Sequence, residues 1–122
     1  MSKETVAGML EEKAPVGESN YGMFRSARQS ESPTEEFLHM YQIILMLCGD
    51  AQKKVDAWIK AQDPTVPETP HPREARMETV YSRSRNEFGH DRAVDLDNTK
   101  REMASRLFGL RELARQAIKR LP

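Results

Sequence analysis

The sequence predicts an all-α fold, an antiparallel helical bundle with two long helices and one shorter one. Three observations carry this. Apolar residues recur at steps of three and four over Pro33–Gln62, Glu74–Phe88 and Thr99–Leu121. No segment shows the apolar/polar alternation of a half-buried strand. A chain of 122 residues forms one domain and, at this size, buries roughly two-thirds of its unfolded surface.

Residues 1–31 are rich in Gly, Ser, Glu and Lys and carry only a weak helical patch at Val6, Met9 and Leu10. They are expected to form a mobile arm, with room for one short helix, in which Tyr21, Met23 and Phe24 alone could dock on a core. The bundle is expected over 32–122. Its first helix opens at Ser32-Pro33-Thr34-Glu35, where Ser32 can cap, Pro33 suits the first helical position and Glu35 completes a capping box. Phe37, Met40, Tyr41, Ile44, Leu47, Val55, Trp58 and Ile59 form its stripe. Leu38, Ile43, Leu45 and Met46 make the middle apolar all round, so this is expected to be the central helix. Gly49-Asp50 marks a kink or a break, and Asp63-Pro64 the end.

Residues 63–73 hold four prolines and are expected to be an extended linker within the bundle. The second helix is expected from Glu74 to Phe88, with Met77, Val80, Tyr81, Ser84 and Phe88 on its inner face and Gly89 as its stop. The last helix is expected to begin near Asp97 to Thr99, with a capping box at Thr99-Lys100-Arg101-Glu102. Its stripe is Met103, Leu107, Leu110, Ala114, Ala117, Ile118 and Leu121, and Lys119 and Arg120 suit its C-terminal dipole. There is no internal repeat.

Composition excludes several functions. The longest apolar run, Ile43 to Cys48, is too short to span a membrane, and Met1 to Thr5 lacks the basic start of a signal peptide, so a cytoplasmic setting is expected. The lone cysteine, Cys48, rules out a disulfide framework and reads as a small buried hydrophobe. The six glycines form neither a dinucleotide fingerprint nor a phosphate loop, and His39, His71 and His90 lack metal-ligand spacing. No cofactor or metal is expected. The 19 basic and 19 acidic side chains exclude binding of nucleic acid by bulk charge. They are unevenly spread, however: residues 1–72 carry a net of −4 and residues 73–122 a net of +4. An anionic partner belongs on the second half.

One cluster in that half carries chemistry: Tyr81-Ser82-Arg83-Ser84-Arg85-Asn86-Glu87-Phe88-Gly89-His90. On a continuous helix Asn86 and His90 share a face, while Arg85 and His90 lie about 140° apart unless Gly89 breaks the helix. The cluster combines a fixed cation, an amide able to orient a phosphate or an imidazole, and a group that titrates near neutrality. Phosphodiester cleavage uses these parts. The same residues also admit plain structural roles. Arg85 can pair with Glu78, Glu87 or Asp91, Asn86 can cap a helix end, and His90 can favour a helix C-terminus.

At Arg85-Asn86-Glu87-Phe88-Gly89-His90 the chain resembles the HEPN superfamily, helical-bundle domains marked by Arg, four to six residues, then His, often with Asn directly after the Arg. Phe37 to Ile44 resembles the first-helix pattern of some prokaryotic members, and the likeness covers residues 33–121. The resemblance implies a HEPN-like bundle acting as a metal-independent endoribonuclease or RNA-binding domain. It implies a homodimer, a 2′,3′-cyclic phosphate product, and a toxin or defence setting with an antitoxin or other protein partner. Arg85 would hold the scissile phosphate, His90 would be the acid/base and Asn86 would orient one of them. Arg83, Arg92, Lys100 and Arg101 would supply RNA phosphate contacts. The alternative is a non-enzymatic helical module that binds a protein partner, and the scarcity of aromatic residues for base stacking beyond Tyr81 and Phe88 keeps it open.

Overall fold

Among the described residues, four helices pack on a fifth that is apolar nearly all round. In the computed structural model, which describes residues 16–89 and 95–122, the order is α1 (Val16–Arg28), α2 (Pro33–Leu47), α3 (Gln52–Gln62), β1 (Glu68–Pro70), β2 (Met77–Thr79), α4 (Val80–Gly89) and α5 (Leu96–Arg120). Phe37, Met40, Tyr41 and Ile44 of α2 are fully buried, and α2 packs most extensively on α5. The fold is thus mostly helical, with one small two-stranded sheet among the described residues. Among these residues no helix is long and apolar enough to cross a membrane.

Local chemistry sets the start of α2 as its sequence suggests. Ser32 Oγ accepts from the Glu35 amide at 3.1 Å, and Glu35 reaches back to the Glu31 amide at 3.1 Å. The stretch read as one helix, Pro33 to Gln62, is two. Gly49 (φ +81°) and Asp50 (φ +62°) are both left-handed, and the Asp50 amide bonds the Leu45 carbonyl at 2.8 Å, closing α2. The chain restarts as α3, which packs on α2 and β2 and ends before Pro64.

Four expectations need correction. Residues 16–28 of the expected arm are helix α1, with Phe24 and Ala27 in the core; residues 1–15 lie outside the described residues. A clamp holds α1 in place: buried Glu36 of α2 accepts from Arg111 Nε (2.7 Å) and Nη2 (3.0 Å) on α5 and pairs with Arg28 of α1 at 3.1 Å. The Arg115 guanidinium lies 5.2 Å over the Phe24 ring. Secondly, strands exist. The proline-rich linker is extended, as proline requires, and over Glu68–Pro70 that extension is used to pair antiparallel with Met77–Thr79, Thr69 opposite Glu78.

Thirdly, α4 begins at Val80 and not Glu74, because Met77–Thr79 is held as strand and Thr79 Oγ1 caps the helix by accepting from the Ser82 amide at 3.3 Å. Met77, expected on the inner face, is 46% exposed. Finally, Asp95 caps α5, accepting from the Asp97 and Asn98 amides. Thr99, the expected cap, lies inside the helix and donates to Glu87 on α4 at 3.1 Å. The core stripe of α5 follows the expected pattern from Met103 to Ile118.

Gly109 marks where α5 meets α4. A Cβ there would sit 2.6 Å from the Tyr81 hydroxyl and an ordinary 3.8 Å from its ring carbon. Tyr81 cannot swing aside, since it is buried and stacked on Phe37 with centroids 6.3 Å apart. Helix propensity alone favours alanine over glycine by about 1 kcal/mol. We predict that Gly109→Ala nevertheless lowers stability by about 1–3 kcal/mol through overpacking. Adding Tyr81→Phe recovers most of the loss in urea unfolding, because only the hydroxyl clashes.

Candidate functional site

The inner face of α4 departs from an ordinary helix stripe. After Val80 and Tyr81 its buried residues are Ser82, Ser84 and Asn86, all polar. Polar groups removed from water need partners, so the question is what they bond. Ser82 Oγ donates to Asp56 Oδ1 at 2.7 Å and meets the Tyr41 hydroxyl at 2.6 Å. A serine hydroxyl has one proton, and Asp56 takes it; the Tyr41 hydroxyl is therefore the donor in the second bond. Asp56, 5% exposed, also accepts from the Thr79 amide (3.1 Å) and hydroxyl (2.8 Å), while its other oxygen accepts from Arg76 at 2.7 Å. Arg76 is shared with Glu74, which it holds below the ordinary carboxylate range. Ser84 Oγ has no hydrogen-bond partner among the described residues.

One turn further along α4, Asn86 is 4% exposed and forms a reciprocal amide pair with Gln52 of α3. Gln52 Nε2 donates to Asn86 Oδ1 at 2.8 Å, and Asn86 Nδ2 donates back at 2.9 Å. Asn86 Oδ1 also accepts from Arg85 Nη1 at 3.3 Å. The Arg85 guanidinium lies 5.9 Å from the centre of the Tyr41 ring. Arg85 is half-buried, with a ring at one face and an amide oxygen at one edge.

The structure therefore brings Arg85 and Asn86 together, with Asn86 turned inward. His90 and Arg92 lie outside the described residues. Arg83 faces carboxylates, at 3.7 Å from Glu87 and 4.0 Å from Glu102. Lys100 and Arg101 are exposed near the start of α5. The other two histidines are engaged elsewhere: His39 Nδ1 lies 3.0 Å from Ser30 Oγ, and His71 Nδ1 accepts two turn amides in the hairpin. Burial pushes the half-buried Cys48 thiol up, away from thiolate chemistry. Among the described residues no group of three His, Cys, Asp or Glu side chains is placed to hold a metal ion.

Sequence reasoning missed Tyr41, Gln52 and Asp56. Tyr41 fits the core stripe, and nothing in one dimension shows that its hydroxyl meets a serine 41 residues away. Gln52 and Asp56 gave a faint signal, polar residues four apart flanking Val55 on an otherwise amphipathic helix.

A family model, methylamine utilization protein MauJ, matches residues 21–119. The chain belongs to the MauJ family. The match opens inside α1 and closes one residue short of the end of α5, so the MauJ unit takes in the helix that the sequence suggested was an arm. No curated protein and no solved structure matches this MauJ chain.

Two predictions follow from the buried polar groups. Gln52→Leu strips Asn86 Nδ2 of its acceptor and costs about 1–3 kcal/mol, measured as a lower urea midpoint at unchanged slope. Burial also raises the Tyr41 phenol far above its ordinary range, and burial raises Tyr81 as well. A group whose folded pKa lies above its unfolded one stabilises the fold fully below the unfolded value, about pH 10 for tyrosine. That contribution is lost as pH climbs above it. Tyrosinate absorbance from these two residues is expected to appear together with loss of helical circular dichroism, not before it.

Proposed function

We propose that this MauJ-family domain is a metal-independent endoribonuclease or RNA-binding domain of the HEPN type, acting through Arg85, Asn86 and His90. The observation that carries the reading is the seating of Arg85 between the Tyr41 ring and an Asn86 amide that Gln52 fixes. Three buried or half-buried side chains, Tyr41, Asn86 and Gln52, support one guanidinium. Such an arrangement suits a group that must meet charge at a defined point.

In this reading Arg85 binds a non-bridging oxygen of the scissile phosphate. His90 takes the proton from the ribose 2′-hydroxyl or delivers one to the departing 5′-oxygen. The 2′-oxygen–phosphorus bond forms as the phosphorus–5′-oxygen bond breaks, leaving a 2′,3′-cyclic phosphate and a 5′-hydroxyl. Asn86 touches Arg85 and not the substrate. Exposed Lys100 and Arg101, with Arg92, contact flanking phosphates. Arg83 would first have to leave Glu87 and Glu102. The active unit is a homodimer, and a toxin or defence setting with an antitoxin or other protein partner fits this chemistry.

A second reading, a non-enzymatic interaction module, draws on a different observation. Phe108 is 79% exposed at the rim of a groove of about 500 Å³ lined by Tyr81, Gly109, Glu112 and Arg120. Exposed aromatic residues beside a groove are common anchors for protein partners.

Incubation of the purified chain with RNA in the presence of a chelator distinguishes the two. Wild type is expected to yield 2′,3′-cyclic ends, and Arg85→Ala and His90→Ala each to slow the reaction by about 100-fold or more. Cleavage that survives both substitutions refutes the assignment. RNA binding without cleavage, lost in Arg85→Ala, leaves the binding form standing. Neither binding nor cleavage favours the interaction module, whose own test is loss of partner capture in Phe108→Ala.

A further inference from the structure

Two chains of contacts leave neighbouring turns of α3 and converge on one side chain. Gln52 and Asp56 are four residues apart, so they project from the same face of α3 toward α4. From Gln52 the path runs through the reciprocal amide pair to Asn86 and on to Arg85 Nη1. From Asp56 it runs through Ser82 Oγ to the Tyr41 hydroxyl, and the Tyr41 ring lies beneath the Arg85 guanidinium. We infer that α3 is the positioning element of Arg85, with Gln52 acting through Asn86 and Asp56 acting through Ser82 and Tyr41; the link to catalysis rests on the reading above.

The layering of α2 on α4 shows why the second path is more than packing. Phe37 and Tyr41, one turn apart on α2, face Tyr81 and Arg85, one turn apart on α4. The first layer is aromatic on aromatic, centroids 6.3 Å apart; the second is aromatic under guanidinium, at 5.9 Å. A phenylalanine would fill position 41 without placing a hydroxyl in the core. The hydroxyl that is there donates toward a serine anchored on a carboxylate. A phenol donating in this direction gains electron density in its ring, and a richer ring holds a cation more strongly. The charge of Asp56 thus reaches Arg85 through two hydrogen bonds and a π-face, without any direct contact.

Gln52, Asp56 and Tyr41 touch no substrate in this scheme. They are positioning residues, and their removal is expected to alter the order of the guanidinium more than the affinity for RNA. Asp56→Asn tests the path directly but also disturbs Arg76 and the hairpin, and can unfold the chain. Tyr41→Phe is the cleaner variant, since it keeps the ring and removes only the bond to Ser82.

The experiment uses the full chain and two readouts. The first is the Arg85 Nε–H resonance, assigned with Arg85→Lys, and its exchange rate with water. The second is the split of kcat and KM on an RNA oligonucleotide. In wild type the Nε–H is expected to be slow to exchange. In Tyr41→Phe its exchange rises about tenfold, kcat falls about tenfold and KM stays within about twofold. If wild type does not cleave RNA but the exchange effect appears, the nuclease reading falls and the positioning inference stands. If both Tyr41→Phe and a folded Gln52→Leu leave the Arg85 resonance and its exchange unchanged, the inference is overturned.

Discussion

A carboxylate buried in a helical bundle must be surrounded by donors, and meeting that requirement at Asp56 organises much of this fold. Its two oxygens take four hydrogen bonds, from the Thr79 amide and hydroxyl, the Ser82 hydroxyl and Arg76. Each donor fixes something larger. Thr79 must be extended to present its amide and hydroxyl to one oxygen, so β2 ends there and α4 starts immediately after. Arg76 must reach over from the hairpin turn, so the proline-rich stretch is folded back and not left as a spacer. Ser82 must point inward, which leaves its lone pair for Tyr41. An unpaired charge in this position would cost several kcal/mol. The network therefore forms as a unit or fails as one.

Glu36 is another buried carboxylate, and its partners show a different use of the same physics. It takes a bidentate contact from Arg111 and a further contact from Arg28, tying α1, α2 and α5. Those guanidiniums are 28% and 47% exposed at the side chain, so solvent screens the clamp as it does not screen Asp56. The clamp orients helices whose apolar faces already meet. Asp56 instead specifies local backbone, where a hydrophobic contact could not select strand over helix.

What was legible in the sequence follows from this division. Periodicity alone places α5 and, as one continuous stretch, α2 with α3, because their cores are apolar stripes and 3.6-residue spacing survives in one dimension. The break at Gly49-Asp50 was visible as well, since glycine beside aspartate tolerates left-handed backbone. The strands were not, because three residues at Met77–Thr79 are extended through a carboxylate 23 residues away and a pairing partner seven to eleven residues back. Helix α1 was hidden for another reason: its segment is polar on average, and two core residues, Phe24 and Ala27, make too short a stripe to read. At the site, Arg85 and Asn86 stood out by residue type, but their supports did not. A core tyrosine and a helix-face glutamine look like packing and solvent contacts until the third dimension sets them against α4.

The charge asymmetry takes on a different meaning once side chains are placed. Residues 73–122 carry a net of +4, yet Arg76, Arg83, Arg106 and Arg111 are each paired with carboxylates of this chain, and Arg115 covers an aromatic ring. These four of the twelve basic side chains in this half are thus engaged by carboxylates of the chain itself, two of them, Arg76 and Arg111, by Asp56 and Glu36 of the first half. A protein that binds an anion through many mobile lysines can tolerate disorder in each, because the sum of weak contacts carries the affinity. One that relies on a few cations cannot. Immobilising a rotamer-rich side chain at an interface costs about 0.5–1.5 kcal/mol, a loss that weighs heavily when contacts are few. In the proposed function, holding the Arg85 guanidinium through Tyr41 and Asn86 would shift that ordering cost from binding to folding, where burial of the core offsets it. Near-neutral charge and an elaborate support under one arginine are therefore two sides of the same constraint.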